Sequence, residues 1–252
     1  MTSPSTAQSA LLVGARTGAQ IPSSSVQAPD AATAYAIQDA TLAALGPIAG
    51  WKVGAPGPQG TISCAPLPAS GVLASGAVLS GPFWRWRGME VEAALRLGQD
   101  LLPQGRLLTR EELAPTFDAV LPALEVIESR YTDFTSADPM ANLADLGCHG
   151  ALIVGAPMDM APAALDLLQI DAALHFDGQP ATQALGGNAA QDVWRMLAWL
   201  ALHCEQRGIP LRKGQIVTTG SCITPQRAEM GTLVRGTVNG VGVVEMQFAA
   251  LP

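Results

Sequence analysis

The sequence predicts an α+β protein. Short β-patterned stretches bounded by Gly, Pro, Asn and Asp dominate the 252 residues, and a few helical stretches lie among them. No regular β-α-β alternation runs through the chain, which argues against a parallel α/β fold. The length suits one large domain or two modest ones with ample core. Hydrophobic residues make up 48% and charged residues 14%, so the chain is compact, with less charge than a large monomer needs to coat its surface. That shortage favours burial of surface in a homo-oligomer. The net charge is −7, from 14 basic and 21 acidic residues with no Lys/Arg cluster, and nucleic acid is not an expected partner.

Residues 1–29, rich in Ser, Ala and Pro, read as a loose arm with room for a short helix. Asp30 reads as the N-cap of an Ala-rich helix that ends at Gly46. Gly50-Trp51-Lys52-Val53-Gly54 reads as a short strand, and residues 55–82 as loops with brief strands. Residues 89–97 read as a strand. Thr109 with Glu112 forms a capping-box pattern and predicts a helix near 110–118. Residues 120–128 and 149–155 read as further strands, the second buried. Asp177-Gly178 predicts a hairpin turn between 173–176 and 179–183. Asn188 with Gln191 is the expected opening of the strongest helix. Its apolar stripe is Val193, Met196, Leu197, Leu200 and Cys204, and Gly208 closes it. Strands near 214–219 and 231–248 complete the fold, with Val244, Met246 and Phe248 alternating against Glu245 and Gln247.

Cys64, Cys148, Cys204 and Cys222 stand far apart without a C-x-x-C motif, which argues against a zinc knuckle and predicts buried free thiols in a reducing cytoplasm. The N-terminus lacks a basic region and a long apolar run, so no signal peptide is expected. No stretch of about 18 uncharged apolar residues predicts a membrane span.

Chemistry is concentrated in few residues. Glu90 and Glu92 stand two apart in an apolar stretch, so an extended backbone points both the same way with Cα atoms roughly 6–7 Å apart. Two like charges on a half-buried face call for a positive group between them. Glu125 lies inside Leu121-Pro122-Ala123-Leu124-Glu125-Val126-Ile127, where an acid is expensive to bury unless it is paired or bound to metal. Three carboxylates make an oxygen-rich site suited to Mg²⁺ or Mn²⁺ and not to zinc. The residues alone also fit a solvated strand face for the Glu pair and a snorkelling surface lysine for Lys52. His149, His175 and His203 are scattered: His203 caps a helix end, His175 is structural, and His149 has no assigned role.

Several segments, taken in order and spacing, resemble the 2-oxopent-4-enoate hydratases and 4-oxalocrotonate decarboxylases of the fumarylacetoacetate hydrolase superfamily. They are Ala34-Tyr35-Ala36-Ile37-Gln38, Gly50–Gly54, Gly71-Val72-Leu73, Glu90-Val91-Glu92, Val120–Val126 followed by Ser129-Arg130, Asp138 with Ala141-Asn142, the strand ending at Gly155, and Thr219-Gly220-Ser221. The resemblance implies a mixed β-sheet roll or barrel with a smaller N-terminal helical region. No internal repeat or sharp boundary is visible. The expected division is a helical arm and lid-like segment over 1–78 and a catalytic β-rich domain over 79–252.

The resemblance also implies a metal site of Glu90, Glu92 and Glu125, with Mg²⁺ (or Mn²⁺) as cofactor and Lys52 beside the substrate's carboxylate or keto group. Ser221 and Arg130 are candidates for substrate contact. A turn-capping hydroxyl fits Ser221 equally, and an ion pair with Glu125 or Glu128 fits Arg130. The implied activity is a lyase on a small unsaturated 2-oxo acid, a hydratase in aromatic or related catabolism. The alternatives are a decarboxylase, a C–C hydrolase of acylpyruvates, or a 2-oxo-acid-binding protein. Hydrolysis ranks lower because no His stands between Gly54 and Gly71. One departure is expected to matter. The related pattern has Pro-Asp-aromatic where this chain has Pro68-Ala69-Ser70, so a proton-handling carboxylate near Lys52 is expected to be missing at Ala69.

Overall fold

The computed structural model describes residues 4–157 and 160–250. The expected loose arm is a docked helix. Helix α1 (Pro4–Ala15) buries Leu12 and Ala15 against α2 (Ala31–Leu45). The segment after α1 is tied down by the Gln20 amide, which donates to the Ser129 and Tyr131 carbonyls, and by Ser23, whose N–H and hydroxyl both donate to Asp133. Asp30 caps α2 by accepting from the Thr33 N–H, and the Gly46 N–H closes it on the Leu42 carbonyl, as the sequence predicts.

The next strands are β1 (Ile48–Gly54), β2 (Ser63–Pro68), β3 (Val72–Ala74), β4 (Ala77–Leu79) and β5 (Gly88–Leu97). The predicted helix near 110–118 is one turn, α3 (Arg110–Leu113), continued by a single 3₁₀ turn (Ala114–Thr116). Glu112 does reach back to the Thr109 N–H, but Pro115 and the apolar run after it turn the chain into β6 (Phe117–Ile127). Then come α4 (Pro139–Ala144), β7 (His149–Val154) and the hairpin β8 (Asp171–Phe176) and β9 (Gln179–Leu185). The hairpin turns at Asp177 and Gly178, both at positive φ.

Helix α5 (Val193–Gln206) starts later than the sequence suggests. Its cap is Asp192, which accepts from the Trp194 and Arg195 N–H groups. Asn188 is freed for another task, described below. β10 (Ile216–Thr218), β11 (Gln226–Arg227), β12 (Leu233–Val238) and β13 (Gly242–Phe248) complete the chain.

Among the described residues the strands form two sheets. The larger runs β2-β1-β10-β5-β6-β7-β3, with β11 on β5; the smaller runs β4-β13-β12-β8-β9. One face of β5 and β6 (Met89, Val91, Leu124, Val126) joins Leu174, Val234, Val244 and Met246 of the smaller sheet in the main core. The opposite face behaves differently. Leu67 of β2 packs with Ala94 of β5, Ala119, Leu121 and Ala123 of β6 and Leu152 of β7. Strands far apart in the sheet order share this cluster, so the larger sheet curls into a roll around it. Glu90, Glu92 and Glu125 have the parity of this inner face, as does Lys52 through its register with Ala65. One stretch of the roll is filled by small apolar side chains and another by charge.

The expected division at 78/79 does not follow the sheets. β1, β2 and β3 belong to the larger sheet and β4 to the smaller, so the first 78 residues are woven into both. No helix among the described residues is long and apolar enough to cross a membrane. All four cysteines are free and buried, as expected.

Candidate metal and substrate site

The antiparallel register of β5 and β6 sets Glu90 directly opposite Glu125, and the strand repeat puts Glu92 on the same side. One oxygen from each carboxylate lies within 4.8 Å of the others. Glu92 and Glu125 are each 1% exposed and Glu90 is half-buried, so Glu92 at least does not stand on a solvated strand face. Strand β1 brings in Lys52, whose Nζ donates to Glu125 Oε1 at 2.5 Å and to the Gly147 carbonyl at 2.9 Å. A pocket of about 230 Å³ opens between these groups, lined also by Ala65, Leu143, Thr218, Gly220 and Ser221.

Charge in this pocket does not balance. Burial pushes Glu90 up to about 7, helped by Glu125 and opposed by Lys52. Burial, Glu125 and Glu90 push Glu92 well above the usual carboxylate range. Burial would raise Glu125 as well, but Lys52 and the nearby His149 together outweigh it and pull Glu125 down to about 2. Lys52 itself is held above its usual value: burial works against its charge, and Glu125 and Glu90 more than reverse that. One lysine thus satisfies one carboxylate and leaves two that hold their protons more tightly than usual and would ionise more readily beside added positive charge. Glu125 Oε2 is also buried without a hydrogen-bond partner. A compact, oxygen-only, net-negative donor set with an unused buried oxygen fits a hard divalent cation.

Backbone turns hold the site. The Gly220 N–H donates to Glu92 Oε2 at 2.8 Å, and Gly220 sits at φ 88°, a region that favours glycine. Asn188, freed from helix capping, donates to the Thr219 and Gly220 carbonyls and so fixes this turn. The Gly147 carbonyl is aimed at Lys52 by three successive positive-φ residues, Leu146, Gly147 and Cys148. Two of these are not glycine, a strain of about 1–3 kcal/mol each that the surrounding packing sustains.

The other sequence candidates divide. Ser221 lines the pocket while its hydroxyl donates to the Ile223 carbonyl, so pocket wall and turn cap coincide. Arg130 does not line it. Its guanidinium is fully buried on Asp145 (Nε–Oδ1 2.5 Å) and the Asp145 and His149 carbonyls, so its ion-pair partner is neither Glu125 nor Glu128. Glu128 instead accepts from the backbone N–H groups of Arg85, Trp86, Arg87 and Ser129. Ala65 of β2 is the residue across from Lys52, and Ala69 follows the end of that strand, its N–H donating to the Pro47 carbonyl.

Two residues emerge only in three dimensions. Thr218 lines the pocket with a buried hydroxyl that lacks a partner. His149 is buried, with Nδ1 3.7 Å from Glu125 Oε1, too long for a hydrogen bond, and burial lowers its pKa to about 4 despite Glu125. It is a neutral ring packed behind Glu125. Neither is set in a motif; strand pairing alone brings them here.

A second recess, about 390 Å³, shares Lys52, Glu90 and Gly147 with the pocket and extends it between Trp86, Ile127, Phe134, Asn142 and Pro225. The Trp86 and Phe134 rings meet edge to face with centroids 5.1 Å apart.

No protein-family model matches the chain. A 2-hydroxyhexa-2,4-dienoate hydratase of Comamonas testosteroni is 30% identical over 159 residues, 63% of this chain and 59% of the relative. A 2-keto-4-pentenoate hydratase of Paraburkholderia xenovorans (strain LB400) is 28% identical over 160 residues, 64% of this chain and 58% of the relative. The matches thus span under two thirds of the length of these curated relatives. The fold agrees over nearly the whole chain with that of 4-oxalocrotonate decarboxylase from Pseudomonas putida G7. The TM-score is 0.82 at 22% identity, covering 97% of both chains, and that structure is complexed with magnesium and adipate. A second structure of that protein, with calcium and acetate, superposes equally well (TM-score 0.82, 21% identity, 97% and 96% covered). The chain therefore has the fumarylacetoacetate hydrolase-like fold that its sequence implies.

Proposed function

We propose that this chain, a relative of the 2-keto-4-pentenoate hydratases and 4-oxalocrotonate decarboxylase, is a divalent-metal-dependent lyase that hydrates a small unsaturated 2-oxo acid. The observation that carries this reading is the convergence of Glu90, Glu92 and Glu125 on one point with a single counter-charge, Lys52. These three glutamates would hold Mg²⁺ or Mn²⁺. Bound there, the cation would supply Lewis-acid stabilisation of an enolate-like charge on a 2-oxo acid.

The chain's own residues do the rest. Lys52 is fixed by Glu125 and Gly147 and carries its charge in the pocket wall, where it draws in a carboxylate and stabilises charge on the neighbouring oxygen. Its proton is held tightly, so Lys52 acts here as a cation. Gly220 fixes the orientation of Glu92. The free hydroxyl of Thr218 is a donor within the same pocket, and the Ser221 hydroxyl, already donating to the Ile223 carbonyl, is available there as an acceptor. The recess takes the substrate's tail. Apart from the shared Lys52 and Glu90 its walls carry no charged side chain, which favours an uncharged, planar tail over a second carboxylate.

The hydrolase alternative gains no support, because His149 stands outside the pocket lining and cannot deliver water from there. Decarboxylation would use the same enolate, so product identity separates it from hydration. The four buried thiols suit a reducing cytoplasm. Exposed Val78, Leu185, Leu233 and Val243, all on strands of the smaller sheet, suit a homo-oligomer.

The deciding experiment is turnover of a panel of 2-hydroxydienoates and 2-oxo acids with and without Mg²⁺, with wild type and Glu92→Gln side by side and products identified. Hydrated product that needs both Mg²⁺ and Glu92 is the expected result. Turnover indifferent to both would sink the proposal.

A further inference from the structure

One turn grips Glu92 and the strand on both sides of it. The Gly220 N–H donates to the Glu92 carboxylate, as described above. The Thr219 hydroxyl donates to the Ala93 carbonyl at 2.8 Å, and the Cys222 N–H donates to the Val91 carbonyl at 2.8 Å. Thr219 and Cys222 are both fully buried, so water cannot replace either bond. Yet the turn bends at Gly220, the residue with the most backbone freedom, and needs an outside support to keep one shape.

That support comes from the segment ahead of α5. Asn188 is buried, and its Nδ2 donates to the Thr219 carbonyl at 2.9 Å and to the Gly220 carbonyl at 2.8 Å. Its Oδ1 accepts from the Ala190 N–H at 3.0 Å, which fixes the amide so that its two N–H bonds serve the two carbonyls. The segments meet backbone to backbone: a Cβ at Gly187 would lie 2.4 Å from the Cys222 carbonyl oxygen, and only glycine permits that approach. We propose that Asn188 is a positioning residue for the metal site, setting divalent-cation affinity through the Thr219–Cys222 turn and Glu92, a role that rests on the metal reading of the three glutamates. A carboxylate free to swing must be ordered when it binds a cation, whereas one aimed beforehand by a buried turn avoids that cost. Outer partners of this kind are worth about 10–100-fold in metal affinity.

The test is Mn²⁺ binding by the full-length protein, followed by calorimetry and by loss of the free-ion electron paramagnetic resonance signal. Asn188→Asp keeps the size of the side chain and its acceptor for Ala190, but sets an oxygen against two carbonyls. Its Kd for Mn²⁺ should rise about tenfold or more. Thr219→Val removes the bond to Ala93, should weaken Mn²⁺ in the same direction, and decides the matter if Asn188→Asp does not fold. Asp30→Ala removes the cap of α2, which takes no part in the site, and should lower the melting temperature while binding Mn²⁺ like wild type. Wild-type affinity in Asn188→Asp, or in Thr219→Val where that variant decides, would overturn the role of Asn188 and leave the metal site standing. So would an equal loss of affinity in Asp30→Ala, which would trace the effect to general destabilisation. No Mn²⁺ binding by wild type would overturn this role and the metal reading together.

Discussion

Glu90 stands directly across β5 and β6 from Glu125, two acids as antiparallel partners inside a curled sheet. Like charges so placed destabilise a sheet by up to about 1 kcal/mol in the open and more when buried. A carboxyl whose pKa is higher folded than unfolded binds its proton more tightly in the fold. The fold therefore loses stability as pH rises from the ordinary value of 4.5 towards about 7 for Glu90. Metal-free protein should thus melt at progressively lower temperature across that range, and Mg²⁺ should reverse the loss. Glu92→Gln should flatten the slope, raise the metal-free melting temperature near neutral pH by about 2–4 °C per kcal/mol relieved, and abolish the response to Mg²⁺. Scanning calorimetry across pH checks all three.

Lys52 separates charge balance from metal binding. Lys52→Met leaves Glu125 without its partner but keeps the three carboxylates. Turnover should fall by about 100-fold or more, the scale of one lost electrostatic donor, while the Mg²⁺-induced rise in melting temperature persists or grows. Loss of both together would mean that Lys52 is needed to build the site.

Arg130 and Asp145 form a closed, buried unit away from the pocket lining. Asp145→Asn should destabilise the fold by about 3–5 kcal/mol, because it leaves a buried guanidinium uncompensated. At temperatures where the variant stays folded, KM should change little. Denaturant melts and steady-state kinetics on the same sample test this, and a raised KM at unchanged stability would return Arg130 to substrate binding.

What could be read from the chain beforehand follows from the range of the interactions. Glu90 and Glu92 were legible because a strand's two-residue repeat is local, and Glu125 because an acid in an apolar strand is conspicuous. Asp30 and Gly46 bound α2 by local hydrogen bonds alone. Register is not local. Asp145 as the partner of Arg130, Thr218 in the pocket wall and His149 behind Glu125 depend on which strands pair, and that information is spread over the whole sheet. Asn188 was misread because its amide serves the Gly220 turn while Asp192 caps α5.

On the proposed function the recess holds the substrate's tail. Its side walls are Trp86, Ile127, Phe134 and Pro225, and its neutral polar side chain, Asn142, has an amide oxygen without a partner. Arg227 stacks over Trp86 with its ring-to-guanidinium distance at 5.5 Å, but its Nε and Nη2 are committed to the Trp86 and Arg85 carbonyls. A dicarboxylic 2-oxo acid would bring its far carboxylate to apolar walls next to Glu90, where the lining cation, Lys52, is already engaged by Glu125. The kcat/KM for a monocarboxylic dienoate should therefore exceed that for the dicarboxylic analogue of similar length by about tenfold or more. Phe134→Arg places a guanidinium in that wall and should narrow or invert the ratio, chiefly through KM, while leaving the Mg²⁺ requirement intact. Equal kcat/KM for both substrates in wild type would show that the tail lies elsewhere, whereas no turnover of either would count against the lyase assignment itself.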